Sequence, residues 1–573
     1  ARPGDEEAVV LLRRAADDVL SVTPGLAADL MVRALELVRP SDAARFDVGE
    51  QAVVCLTRAG RNREALATCD RLLAEQPPLA VFGRLQAALG GALWNLDLAE
   101  ELCRRAEAAL AVGGTPSAVS ARLSALRALA LSRSRDLDAA RSAGEDALAA
   151  AVATGDRSAH VQALSALGEI ALNAGDGAAA SERFTALSAV DRAFRPEEAV
   201  AHQHMDRFDR AGELLERAAG DGDSHRQAML LWAQAQQHLG LGRLDDAEAH
   251  LVTMERLEDD LRAPVQQVNS RVIRAGIALL RGDRAGAGRH LTEARERMAV
   301  KPNPGNRAAV CFLESVVAAH DGDVRDAVEA LHRLGLIGPF MRWRLLRTRV
   351  GTAVGIALRA GDRGLADDLA GQAAAHAARN PGVPTAAGVA ALAAGLAAGD
   401  LALLDRSVSL LAAGPRPLVL ASARTGLGRA LLAAGRAAEA PAALSAAQEA
   451  FAASGAFAAA ADVRLLLDGA GAGGTRGAGA GAGAGAGRPS PVRARPVQGW
   501  EALTASERKV ARLIAAGHTN RSAADALVVS PHTVNTHLTA VFRKLSVTSR
   551  VQLTRVVLAR GDAEREAPAG RLR

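Results

Sequence analysis

At 573 residues the chain exceeds what one hydrophobic core sustains, so more than one domain is expected. Residues are 49% hydrophobic but only 2% aromatic, and tyrosine is absent; this Ala- and Leu-rich composition favours an all-α fold over strands. The net charge of +5 is unevenly spread: residues 469–573 hold sixteen Lys/Arg against six Asp/Glu, a net of +10, which leaves −5 for the rest.

The four cysteines, Cys55, Cys69, Cys103 and Cys311, form no C-x-x-C pair, so a disulfide framework and a zinc site are both set aside and a reducing compartment is expected. No apolar run approaches the roughly 18 residues of a membrane span, and the opening ARPGDEEAVV lacks the layout of a signal peptide. A soluble cytoplasmic protein without membrane contact follows. The start at Ala1 reads either as removal of an initiator Met or as a fragment of a longer chain.

In chain order, residues 1–467 carry a repeat. Gly242, Gly282, Gly322, Gly361, Gly399 and Gly435 lie 40, 40, 39, 38 and 36 residues apart, each followed by Asp or Arg. Five residues after the Gly comes Ala247, Ala287, Ala327, Ala366 and Ala440. Earlier copies are Gly60 with Ala65, Gly175 with Ala180, and Asp206 at the Gly position with Ala211; Asp97 and Asp136 supply the missing beats, making eleven turns. A helix that ends on a left-handed Gly and restarts within two or three residues gives a hairpin, and the Ala lets two backbones approach. After Gly322, the stripe Val324, Ala327, Val328, Leu331 needs neighbours to cover it, so a stacked solenoid is predicted. The period and the A-G-[DR]-x-x-x-A turn resemble tetratricopeptide-type repeats.

Within this body, His202 and His204 read as two exposed histidines, since i and i+2 diverge on a helix and make a poor metal pair. Trp94, Trp232 and Trp343 read as packing residues, and Met254–Arg262 as a solvated helix face. No catalytic constellation, metal site or cofactor site is apparent, and an enzyme is not expected. None of the three lysines, Lys301, Lys509 and Lys544, follows a Gly, so there is no Walker A loop. From Gly469 the run of Gly-Ala repeats lacks an apolar face, and 468–499 is expected to be a disordered tether with a stiffer basic end.

The stretch from Leu503 to Arg560 is chemically specific. Thr504 and Glu507 form a T-x-x-E capping box opening a first helix with Val510, Leu513 and Ile514 on its apolar face and Gly517 at its end. A second helix runs from about Arg521 to Leu527. Ser530 caps a third that starts at Pro531, with Val534, Leu538, Val541 and Leu545 facing the core. Its opposite arc offers Asn535, Thr536, Thr539 and Arg543, which is how a reading helix meets base edges and phosphates in a major groove.

Leu503-Thr504, Glu507, Gly517, Asn520, Ala524, Leu527, Ser530, Thr533-Val534, His537, Lys544-Leu545 and Arg550 together resemble the LuxR-type helix-turn-helix of bacterial regulators. Sigma-factor region four shares the first three helices, but Val547–Leu558 supplies the fourth helix of the LuxR type. The resemblance implies double-stranded DNA as partner and pairing of two copies through that helix, for which Val551, Leu553, Val556 and Val557 are the candidates. Asn535, Thr536 and Thr539 are assigned to base edges; Arg521, Ser530, Thr533, Arg543 and Lys544 complete the DNA-binding set, chiefly through phosphates, while His537 is assigned a structural role. Asn535 stands where many relatives carry Lys, and Ala523 where a larger aliphatic is usual.

The layout resembles the large MalT-like regulators without their N-terminal ATPase module. The expected domains are a solenoid over 1–467, the linker 468–499, a helix-turn-helix domain over 500–562 and a disordered tail 563–573. The expected function is transcriptional regulation by a dimer on DNA, nucleoid-associated when bound, with the solenoid as sensor and RNA polymerase or a protein or small-molecule effector as further partner. The competing reading is a repeat scaffold whose main work is protein–protein interaction.

Overall fold

The computed structural model describes residues 4–20, 22–42, 44–96, 98–112, 116–133, 136–218, 224–260, 267–300, 304–336, 346–474, 500–516, 522–524, 534, 537–538, 541, 544–545, 547, 553–554 and 556–557. Among these, every regular element is helical. The chain divides into two compact units, 1–477 and 478–573.

The first unit is a stack of antiparallel helical hairpins. Gly60, Gly175, Gly242, Gly282, Gly322, Gly361, Gly399 and Gly435 all have φ between 68° and 89°, and each separates two consecutive helices. At Gly175 the left-handed cap donates its N–H to the carbonyls of Ala171 and Leu172, closing one helix before the next begins at Gly177. The residue after the glycine then has its own task. Asp176, Asp283, Asp323, Asp362 and Asp400 each accept a backbone N–H two or three residues on, which caps the following helix and is worth about 1 kcal/mol apiece. Asp136 caps in the same way through Ala139 N; Asp97 lies outside the described residues.

The alanines five residues past the turns are sealed in. Ala65, Ala180, Ala211, Ala247, Ala287, Ala327, Ala366 and Ala440 are at most 1% exposed. Elsewhere the close approach is made by glycine inside a helix: a Cβ on Gly168 would sit 2.6 Å from the Phe184 ring. The apolar interior is divided along the stack, with one cluster running from Val9 to Ala130 and a larger one from Ala228 to Val463.

Hairpin stacking is not the only packing. A seam joins the middle of the stack to its C-terminal hairpins. Asn380 Nδ2 donates to Gly175 O at 2.6 Å while its Oδ1 accepts from Gly177 N at 2.9 Å, and Arg379 donates to Ala174 O at 3.2 Å. A little further along, Arg416 Nε donates to Asp206 Oδ1 at 2.9 Å and Arg416 Nη2 to Gln203 O at 2.5 Å, while Thr385 N donates to Asp206 Oδ2 at 2.8 Å. The Arg416 guanidinium lies 4.8 Å from the Phe208 ring centre. Asp206 has φ 59°, so the one turn with Asp in the glycine place keeps the left-handed backbone, and its carboxylate is spent on the seam.

Several expectations are corrected. His202 is buried rather than exposed, 3.4 Å from Ser181 Oγ through Nδ1 and 3.7 Å from Glu198 through Nε2; His204 is half-buried. Met254–Arg262 was expected to be a solvated face; of its described part only Arg256 and Asp259 are exposed, whereas Met254, Glu255 and Glu258 are buried, Glu255 accepts from Arg274 at 2.7 Å and pairs with Arg271 at 3.3 Å, and Leu261 and Arg262 lie outside the described residues. The helix Phe457–Gly474 covers the first seven residues, 468–474, of the stretch expected to be the tether. Trp94 and Trp232 do pack against the core, with Arg133 stacked on Trp94 at 4.5 Å; Trp343 lies outside the described residues.

Candidate nucleic-acid interface

In the second unit, a short turn at Trp500–Ala502 leads into the helix Ala505–Ala515. Thr504 caps it: its hydroxyl accepts from Glu507 N at 3.2 Å, and Glu507 Oε2 accepts from Thr504 N at 2.7 Å, closing the expected capping box. Leu503, Val510, Ala511, Ile514, Ala523, Ala524, Val534, Leu538, Val541 and Leu553 are buried together, with Trp500, Leu513, Leu545 and Val557 packed on them. The i, i+4, i+7 stripe of the third helix therefore does face the core, and Ala523 is fully enclosed in it. Trp500 was not read from the sequence as part of this core; its position three residues before the apolar Leu503 is the signal that pointed to it.

Glu507 does a second job. Both of its oxygens accept from Lys544 Nζ at 2.7 Å, with the Glu507 side chain 7% exposed and that of Lys544 23%. Burial pushes the carboxyl up, but the hydrogen bonds from Lys544 and Thr504 outweigh it and hold it below the usual carboxylate range. One carboxylate thus fixes the start of the first helix and ties it to the third. Lys544, expected as a phosphate contact, is ion-paired with Glu507 and keeps part of its side chain at the surface.

Leu553 is likewise corrected. It was assigned to the pairing surface, yet it is fully buried in the core of its own unit and offers no area to a second copy. Val556 and Val557 are half-buried, Val557 against the same core. Val551 lies outside the described residues, as do Arg521, Ser530, Thr533, Asn535, Thr536, Thr539 and Arg543, together with Gly517 and Pro531. On the first helix Lys509 and Arg512 are exposed, two basic side chains the sequence reading did not nominate.

Other chemistry finds little support. Ser181, His202 and Glu198 stand in the order of a nucleophile, base and carboxylate, but all three are buried, at 6%, 7% and 2% exposure. Burial raises the thiol pKa to about 11 at Cys55 and about 12 at Cys69, so neither is a ready thiolate. Among the described residues no His, Cys, Asp or Glu trio is placed to hold a metal ion, and no helix is long and apolar enough to cross a membrane.

The sequence model of the family described as "Bacterial regulatory proteins, luxR family" matches residues 501–557. HTH-type transcriptional regulators of Mycobacterium bovis and Mycobacterium tuberculosis are each 51% identical over 69 residues, which is 12% of this chain and 8% of each relative. Among solved structures, a tetratricopeptide repeat protein from Parabacteroides merdae aligns at 13% identity and a TM-score of 0.32, covering 45% of this chain and 98% of its own. The Cut9–Hcn1 complex of the APC/C aligns at 11% identity and a TM-score of 0.41, covering 81% of this chain and 96% of its own.

Proposed function

Residues 501–557 are a helix-turn-helix domain of the luxR family of bacterial regulatory proteins, and from that premise we propose that the chain is a sequence-specific transcriptional regulator acting in the cytoplasm. It binds double-stranded DNA as a dimer and takes its input through the hairpin repeats, with RNA polymerase or a protein or small-molecule effector as further partner.

The observation that carries this reading is the family match laid over a core that buries Val534, Leu538 and Val541. With that side given to the core, helical spacing leaves the opposite arc for DNA, and the base edges are assigned to Asn535, Thr536 and Thr539 and the flanking phosphates to Arg543 on the sequence pattern. Exposed Lys509 and Arg512 suit phosphate contact from the first helix, joined by Arg521, Ser530 and Thr533. Pairing of two copies falls to Val551, Val556 and Val557. The basic balance of residues 469–573 supplies the salt-dependent part of the affinity.

The test is selection of bound fragments from genomic DNA by the full chain, repeated with Asn535→Ala and Thr539→Ala. A changed or relaxed sequence preference is expected. If both variants select the same sites with the same ranking, the reading face is wrongly assigned.

A further inference from the structure

The helix Glu6–Val19 has two faces. Val9 and Ala16 are buried in the N-terminal core cluster, and Ala8, Leu12 and Val19 pack on it. The other face is exposed and reads Glu7, Val10, Leu11, Arg14, Asp18, spacings that place these residues on one side of a helix. Val10 and Leu11 are each 61% exposed, and Val22 and Leu26 of the same hairpin are exposed as well, so large apolar side chains open to water are concentrated between residues 10 and 26. A hairpin that closes the end of a stack needs a polar outer surface, and this one lacks it.

We propose that this face pairs with a second copy of the chain, the two Glu6–Val19 helices lying antiparallel about a two-fold axis between Val10 and Leu11. The charge pattern fixes both the occupant and its direction. Such an axis sets Val10 opposite Leu11 of the second copy and Glu7 opposite its Arg14, so the apolar centre is flanked on each side by a pair of opposite charges. Asp17 and Asp18 fall opposite Gly4 and Pro3, where they meet no carboxylate. Parallel pairing would set Glu7 on Glu7 and Arg14 on Arg14, like charge on like. The entry to the helix does not cover the face from within, because Gly4 N donates to Leu37 O at 2.7 Å and so lies against the end of the helix Pro24–Leu37 instead of over Val10 and Leu11. One helix face is small among specific interfaces, so the pairing is reversible and depends on concentration. It is independent of how the C-terminal unit reads or pairs on DNA.

Sedimentation velocity of the full chain without DNA, over a range of concentrations at low salt, tests this. The wild type is expected to pass from monomer to dimer. Glu7→Arg sets like charges together on both sides of the axis and is expected to weaken association by about tenfold or more, as is Leu11→Ser through loss of apolar contact. Both positions are exposed, and Asp5 still caps the helix through Ala8 N, so the variants keep the fold. Combining Glu7→Arg with Arg14→Glu exchanges the charges and is expected to restore the dimer. A monomer at every concentration overturns the proposal and leaves the face to a different protein. Association that neither single variant weakens overturns it by placing the contact elsewhere on the chain, and failure of the double variant to recover overturns the antiparallel pairing.

Discussion

Two ion pairs, one in each unit, tie residues that are far apart in sequence. Asp206 and Arg416 are 210 residues apart and 4% and 7% exposed; Glu507 and Lys544 are 37 apart and 7% and 23% exposed. The first joins whole hairpins that are not neighbours in the stack, and the second joins two helices of one small core. Burial pulls the Arg416 guanidinium below its ordinary value despite Asp206 beside it, so removing either partner there strands a charge with no water to take it. Lys544 at the other pair still reaches solvent. Similar chemistry thus carries different consequences according to how completely it is enclosed.

The largest expected effect comes from Asp206→Gly. Glycine suits φ 59° better than any other residue, so a purely local view predicts stabilisation; losing the carboxylate instead leaves the buried Arg416 without its counter-charge and Thr385 N without its acceptor, and is expected to cost about 3–5 kcal/mol. Urea unfolding of the full chain reads this, and a neutral or stabilising result would break the comparison. Gly168→Ala tests backbone proximity instead of charge. With Phe184 2.6 Å from the new Cβ, about 1–3 kcal/mol is expected by the same measurement. Glu507→Ala is expected to cost about 1–2 kcal/mol, opening both the capping box and the link to Lys544. Its sharper signature is a drop in DNA affinity at every site alike, measured by fluorescence anisotropy; a change in sequence preference would give Glu507 a different role.

Acidification separates the two units. His376 is held at about 3, and His238 and His290 are also lowered by burial, so the unfolded chain binds more protons than the folded one below the ordinary histidine value of 6.5. The stability of the repeats therefore falls as pH drops from 6.5 toward 3. Glu507 is depressed from the ordinary 4.5, and what it contributes is present above that pH and lost below it. Between pH 6.5 and 5 the protection of solenoid amides, taken relative to the intrinsic exchange rate at each pH, is expected to fall while that of residues 500–516 holds. His376→Gln should flatten part of that slope.

What the sequence revealed follows from what is local. A left-handed turn demands glycine at one place, and the alanine five residues on demands smallness at another, so both repeat visibly along the chain. The capping box is complete within Thr504–Glu507 and is legible for the same reason. Contacts between distant hairpins leave no such trace. Glu255 looks like any solvated carboxylate until Arg271 and Arg274 of the next hairpin are placed beside it, and Lys544 looks like any surface lysine until Glu507 is. Asp206 stands at a turn where its counterparts are mostly glycine, and only the fold shows its carboxylate serving the seam. Leu553 failed for a related reason: an apolar residue on a terminal helix suits an inner or an outer surface equally, and only the assembled core decides.

The seam also sets a rule for change. A stack in which each hairpin meets only its neighbours accepts the gain or loss of one unit almost anywhere between its ends. Here Asn380 must meet Gly175, and Arg416 must meet Asp206, so the number of hairpins between them is fixed. Duplicating or deleting one between 206 and 380 would shift both clasps out of register together. That interval is closed to the unit-by-unit growth by which such arrays lengthen, whereas hairpins ahead of residue 174 are free of it.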